Sequence, residues 1–301
     1  MSRRSGMTLV EVMLAMALFA MLSLFVLSVV NSVLGLWQSG ERRGNGDLAF
    51  SAVAARVRVD LAALHTGPSG WLIMDEYEAW PAENSNSPWM LPRLRFLARG
   101  ASLPMDDPSG RSAVEIAWVV VPVDAAESRV TRLVRLTQLA EGQNSLQDNR
   151  HLSAMIQGGN GAPMLEGVLH LNWQMFDVDG EISTSDNVPA ETPFDFPAQL
   201  KLTLERVAPE SQKRPLVLDD DLSPSATGLN LRGNPPLRTP SHVLVDLEWI
   251  AVQGEFPKLR VVERGSRGTV PVTHHRGDVA LAPNQYQSSF HVTSQGRRMM
   301  P

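Results

Sequence analysis

Between Val12 and Val30 the chain reads VMLAMALFAMLSLFVLSVV, with no charge and no proline. As a helix, roughly 19 residues cover about 29 Å, close to the roughly 30 Å of a bilayer's hydrocarbon core. This run constrains the fold strongly, because a helix apolar on every side must be covered by lipid or by other protein. Arg3 and Arg4 flank its start. The positive-inside bias therefore keeps the N-terminus cytoplasmic and sends everything after Val30 outward.

Two ordinary explanations compete for such a run. A secretory signal peptide has a shorter apolar region, about 7 to 15 residues, ending in a small-residue cleavage site; the sequence that follows here, NSVLGLWQSG, offers none. A plain signal anchor explains length and orientation, but not Glu11 at the mouth of the run. A carboxylate at membrane depth costs several kcal/mol unless it lies near the interface or meets a cation. An acid favoured by the dipole at a helix start is the simplest account of it.

The residues around Glu11 carry a more specific pattern. Gly6-Met7-Thr8-Leu9-Val10-Glu11, preceded by a short basic leader and followed by the apolar run, resembles the class III signal of type IV pilins and type II secretion pseudopilins. Met7 replaces the usual Phe of that pattern, a recurrent variant. The resemblance implies that prepilin peptidase cuts between Gly6 and Met7 and that Met7 becomes N-methylated. It also implies that Glu11, then the fifth residue, pairs with the free α-amino group of a neighbouring subunit and sets register in the assembled filament. Glycine before the cut presents no side chain to a peptidase, and a cut ahead of the apolar run leaves the anchor in place.

Composition narrows the remainder. The chain has 301 residues, a net charge of -5, a pI near 5.8 and no cysteine. That length holds an anchor and one ordinary domain, or at most two small ones. There is no broad basic surface, so nucleic acid is not an expected partner. Without cysteine there are no disulfides and no thiolate ligands, and stability must come from packing.

After Trp37 the polar segment QSGERRGNGD, with Gly40, Gly44 and Gly46, predicts a loosened or broken helix. Helical spacing returns at Phe50, Val53, Val57, Leu61 and Leu64, with Arg56 and Asp60 as an i,i+4 pair on another face. Gly67 and Pro68 end this helix. Alternating or β-branched runs follow at 93–97, 113–121, 130–137, 169–175, 200–205 and 243–252, the clearest being Leu169-His170-Leu171-Asn172-Trp173-Gln174-Met175. These predict an antiparallel sheet with one face against the helix.

The expected fold class is α+β, with the pilin fold that the resemblance implies: a long N-terminal transmembrane and stalk helix packed on an antiparallel β-sheet head. The expected divisions are a leader at 1–6, a transmembrane helix at 7–37, and a loosened segment with an amphipathic stalk helix at 38–65. A β-rich periplasmic head then fills 66–263, with a loop insertion at 209–240, and a polar tail 264–301 closes the chain. The order of RVRVDLAAL, LRFLAR, AVEIAWVVV, RLVRLTQ and LEGVLHLNWQMFD resembles the heads of J-class minor pseudopilins (GspJ) and of PilW-type minor pilins.

Several clusters look chemical. Asp219-Asp220-Asp221 could collect calcium, but lacks the alternating spacing of an EF-hand and reads as a solvated loop. His274 and His275, with His242 and His291 at a distance, suggest a transition metal; neighbours on a strand point to opposite faces, which disfavours joint chelation. Arg276-Gly277-Asp278 is too short a match to mean adhesion. No Walker A, G-x-S-x-G, H-E-x-x-H or G-x-G-x-x-G pattern occurs. The expectation is therefore no enzyme, no cofactor and no metal.

The leading expectation is a minor pseudopilin of a type II secretion pseudopilus, in the inner membrane with its head periplasmic. Its expected partners are other pilin or pseudopilin subunits, prepilin peptidase, the inner-membrane assembly platform and membrane lipid. A PilW-like minor type IV pilin is the alternative, and a membrane-anchored periplasmic enzyme or binding protein is the alternative of another class.

Overall fold

The computed structural model describes residues 9–67, 69–79, 89–99, 113–123, 130–140, 145–182, 187–189, 196–207, 215–233 and 240–292. Helix α1 runs from Leu9 to Ala62. The loosened segment expected after Trp37 is absent: Gly40, Gly44 and Gly46 all lie in continuous helix. Each glycine costs only about 1 kcal/mol relative to alanine, and a helix already nucleated on both sides propagates through such positions. Several side chains of the apolar run, Val12 and Ala15 among them, fall outside the described set, and among the described residues no helix is long and apolar enough to cross a membrane. The described apolar side chains between Leu9 and Val30, Phe19 and Phe25 included, are 45 to 78% exposed.

The chain divides into two compact units, 1–47 and 48–301. The second is sheet-rich. Its largest sheet has eight strands: β1 (Trp71–Glu78), β2 (Met90–Arg99), β3 (Ala113–Pro122), β4 (Thr131–Leu139), β5 (Ala162–Phe176), β6 (Asn187–Pro189), β7 (Gln199–Arg206) and, far along the chain, β14 (Asn284–His291). They lie in the order β14-β7-β5-β4-β3-β2-β1-β6, antiparallel throughout. On one face, Phe50, Val53, Val57, Leu61 and Leu64 of α1 and the residues after it pack on Leu94, Phe96, Trp118, Leu171, Trp173, Leu202 and Phe290. The three- and four-residue spacing of the helix and the two-residue period of the strands thus meet as one core.

The opposite face is covered as well, at least over β1 to β4. Helix α2 (Asn149–Gln157), capped by Asp148 accepting from the Arg150 amide, lays Leu152 beside Leu146, Leu97, Ala117, Val119 and Leu136. Cover on both faces explains why β3 is apolar at every position but Glu115 rather than alternating. It also explains the burial of Arg93 and Arg95 on the α2 side. Arg93 grips Asp75 at 2.7 and 2.6 Å, while Arg95 donates to Asp75 and to the Leu146 and Gln147 carbonyls.

Three expectations fail after β7. The described residues of 209–240 are not a plain loop, those of 264–292 are not a tail, and the run 243–252 is not one strand of the main sheet but parts of two strands that turn at Asp246 and Leu247. Strands β8 (Leu216–Leu218), β9 (Gly228–Arg232), β10 (His242–Val245), β11 (Glu248–Glu255), β12 (Lys258–Ser266) and β13 (Val279–Leu281) close into a six-stranded barrel, in the order β10-β11-β12-β9-β8-β13. Leu216, Leu218, Leu229, Leu231, Val243, Val245, Ile250, Val252 and Leu259 fill its interior. The alternation that places them there occupies only three to five residues in β8 and β9, too short to stand out among polar neighbours. The barrel is inserted between two paired strands: Arg206 at the end of β7 lies opposite Asn284 at the start of β14. The head therefore extends to His291, and β14 contributes Phe290 to the main core.

Candidate functional site

Of the residues the sequence nominates for function, Gly6 and Met7 lie outside the described residues, and Glu11 is described as a position within α1 without its side chain. What the structure does show is how the C-terminal part of α1 is held. Asp60, with no solvent exposure, accepts from Arg135 at 2.6 and 2.9 Å and from the Trp118 indole at 3.1 Å, with Arg56 at 3.3 Å. The expected Arg56–Asp60 pair exists, but it is part of a buried network that pins helix to sheet and not a surface pair. Burying such a carboxylate is tolerable only because every lone pair finds a donor.

A second polar cluster joins the barrel to the sheet. Arg267 reaches Glu205 of β7 through two bonds of 2.8 and 2.6 Å, and its guanidinium lies 4.4 Å from the centre of the Trp249 ring. His170 and His242 meet the same ring edge-on at 6.4 and 6.3 Å. Around them Leu169, Val207, Leu244 and Trp249 form the apolar junction. Burial, helped by the Arg267 charge, pushes the His170 imidazole down to about 4, and the same two causes lower His242. The His170 ring is thus neutral at ordinary pH. Arg267 sits at φ +56°, a left-handed conformation that costs a non-glycine residue about 1 kcal/mol, offset by its two charge-assisted bonds. Beside this junction a cavity of about 480 Å³ is lined by Phe50, Glu205, Ser241, Pro283, Tyr286 and Gln287; Phe50 and Tyr286 stack at 5.2 Å.

The third cluster draws on β11, β12 and the segment that joins β12 to β13. Glu248, 1% exposed, accepts from Arg264 at 2.7 and 2.8 Å and from the Gly265 and Val272 amides at 2.9 and 3.0 Å, and meets His274 Nε2 at 2.9 Å. Burial alone would raise this carboxyl, but the bonds from Arg264, His274 and Val272 and the Arg264 charge hold it at about 2. His274 Nδ1 faces Asp246 at 3.0 Å and Asp278 at 3.9 Å. Burial lowers the affinity of this imidazole for a proton, and its bonds to Glu248 and Asp246 more than restore it.

His275 points elsewhere, 77% exposed, so the expected separation of the two adjacent histidines is observed. The sequence could not reveal the partners of His274, because Asp246 and Glu248 lie 28 and 26 residues earlier. The aspartate run is tied to the neighbouring turn: Asp221 accepts from the Arg276 amide at 2.7 Å, Asp220 from Asn230 at 2.7 Å, and Asp219 lies 4.0 Å from the Arg276 guanidinium. The Arg-Gly-Asp segment is therefore the rim of this cluster.

Residues 1–27 match the family model of the prokaryotic N-terminal methylation motif. That match supports the type IV pilin-like or pseudopilin class for this chain, membrane-anchored or filament-associated, and points to processing by prepilin peptidase and assembly with other pilin subunits. No curated protein matches the chain significantly.

Proposed function

We propose that this chain is a minor pseudopilin of the J type: a structural subunit, not an enzyme, that sits near the tip of a type II secretion pseudopilus and acts in filament initiation and protein secretion. The observation that carries the reading is the joining, in one chain, of an N-terminal methylation motif over residues 1–27 to a sheet-rich unit that carries an additional closed barrel. Such a unit is larger than a repeating shaft subunit needs to cover its helix, which favours a place at the end of the filament. In this reading residues 7–37 span the inner membrane with the N-terminus cytoplasmic, and the head lies in the periplasm. Cleavage after Gly6 frees the α-amino group of Met7. That group, methylated, meets the Glu11 carboxylate of a neighbour inside an apolar helix bundle, where an unpaired charge costs several kcal/mol and a matched pair fixes the axial register.

Mass spectrometry of the mature N-terminus tests the processing step. The expected product begins at N-methyl-Met7; an intact Met1, or a cut beyond Val30, would overturn it. The assembly step is tested with Glu11→Ala, expected to insert in the membrane normally and to co-purify with other subunits at least ten-fold less. Undiminished co-purification would remove Glu11 from the mechanism. Loss of secretion with surface pili intact in a deletion strain places the chain in the secretion system. The reverse pattern places it with PilW-like minor pilins.

A further inference from the structure

We propose that Asp246, His274 and Asp278 form a binding site for one divalent transition-metal cation of the zinc or cobalt kind on the barrel surface. The proposal is independent of the N-terminal reading.

Glu248 orients the histidine of this site. Both oxygens of that buried carboxylate already accept, from Arg264 and from the Gly265 and Val272 amides, and so present only lone pairs to a further neighbour. The His274 Nε2 atom 2.9 Å away must therefore carry a proton and donate. This fixes the tautomer and leaves Nδ1 as the atom that bears either a second proton or a metal. A carboxylate that orients the far nitrogen of a histidine is the usual outer partner of a metal-bound imidazole, and it raises the ligand's basicity.

Nδ1 faces two carboxylate oxygens, Oδ2 of Asp246 at 3.0 Å and Oδ2 of Asp278 at 3.9 Å. One ligand atom from each of the three residues lies within 4.8 Å of the others. Ligands about 2.1 Å from a tetrahedral zinc lie about 3.4 Å apart, so small movements of the two aspartates complete the site. Those movements are available, because the Asp246 and Asp278 side chains are 50 and 32% exposed while His274 is 2% exposed. The open side leaves room for water as a further ligand.

The backbone is set for this. His274 is held by paired bonds with Leu222, its amide donating at 3.0 Å and its carbonyl accepting at 2.9 Å. Asp278 Oδ2 accepts from the His275 amide at 2.7 Å across the turn at Gly277, whose φ of +98° suits glycine. Charge points the same way: three carboxylates, Asp246, Asp278 and Glu248, converge on His274 and only one guanidinium, Arg264, bonds to them within the cluster, which leaves an acidic site suited to a dication. One imidazole with two carboxylates suits a borderline ion such as zinc or cobalt, whereas calcium seeks six to eight oxygens.

The test uses the untagged full-length chain in detergent micelles. Cobalt(II) titration, read by visible absorption, is expected to saturate at one equivalent and to be reversed by zinc. Zinc is expected to raise the thermal midpoint. Asp246→Asn, at an exposed side chain, and Asp278→Asn, at a half-buried one, are expected to weaken binding more than ten-fold, while Asp179→Asn in the turn after β5 leaves it unchanged. No saturable cobalt binding, equal binding by both aspartate variants, or a midpoint raised by calcium and not by zinc would each overturn the site.

Discussion

At Asp60 a carboxylate with no solvent exposure meets the Arg135 guanidinium twice and the Trp118 indole once. Removing it leaves a mostly buried cation and a buried N–H unpaired. Asp60→Ala should therefore destabilise the full-length chain by about 3 to 5 kcal/mol, read from the urea midpoint in detergent. Asp60→Ala combined with Arg135→Met should recover part of that loss, because the stranded charge is then gone. At His170 the consequence is a pH dependence. The unfolded chain takes up a proton near the ordinary histidine value of about 6.5, the folded chain only at about 4, because of burial and Arg267. Between these values the unfolded state binds more protons, so stability is full above about pH 6.5 and falls as the pH drops through 4. The loss is about 3 kcal/mol. His170→Gln should flatten that part of a stability-against-pH curve, leaving the slope due to His242; an unchanged curve would count against a neutral buried imidazole.

For the elements, α1 and the sheet make different demands. Continuity of α1 through Gly40, Gly44 and Gly46 predicts that Gly44→Ala stabilises the helix by about 0.5 to 1 kcal/mol and that amide exchange across 40–46 slows. Faster exchange would mean that the helix breaks there. On the packed half, Leu61 is 2% exposed, and Leu61→Ala should cost about 2 to 5 kcal/mol through lost transfer energy and the cavity left behind. The spacing at Phe50, Val53, Val57, Leu61 and Leu64 was readable in the sequence because a half-buried helix imposes it. The burial of both faces of β3 was not, because α2, which covers the second face, is short and lies after the strand it covers. Arg93 and Arg95 illustrate the same point: alternation with Leu94 and Phe96 reads as exposed charge, and only the Asp75 and carbonyl partners show a buried polar layer.

For the whole molecule, the barrel is an insertion in a hairpin, since Arg206 and Asn284 are register partners. Replacing residues 208–282 by a short glycine-containing turn should leave the sheet, α1 packing and N-terminal processing intact while abolishing cobalt binding. The expected loss of stability is modest, because the main apolar junction removed is that of Leu169, Val207, Leu244 and Trp249. Circular dichroism and N-terminal mass spectrometry of the shortened chain check this. A chain that no longer folds would mean that the barrel supports the sheet.

By itself the sequence determined what local periodicity and a contiguous motif can encode: the methylation signal around Gly6, Met7 and Glu11, the apolar run, one amphipathic face and most strands of the main sheet. Only the tertiary structure decided the rest. Strands of three to five residues such as β8, β9 and β13 carry almost no periodic signal, and they became visible when they closed a ring with partners far along the chain. Asp60 acquired its role from Arg135, and His274 from Asp246, Glu248 and Asp278, by contacts that chain order does not foreshadow. A buried charge is defined by what surrounds it, and its surroundings are assembled only when the chain folds.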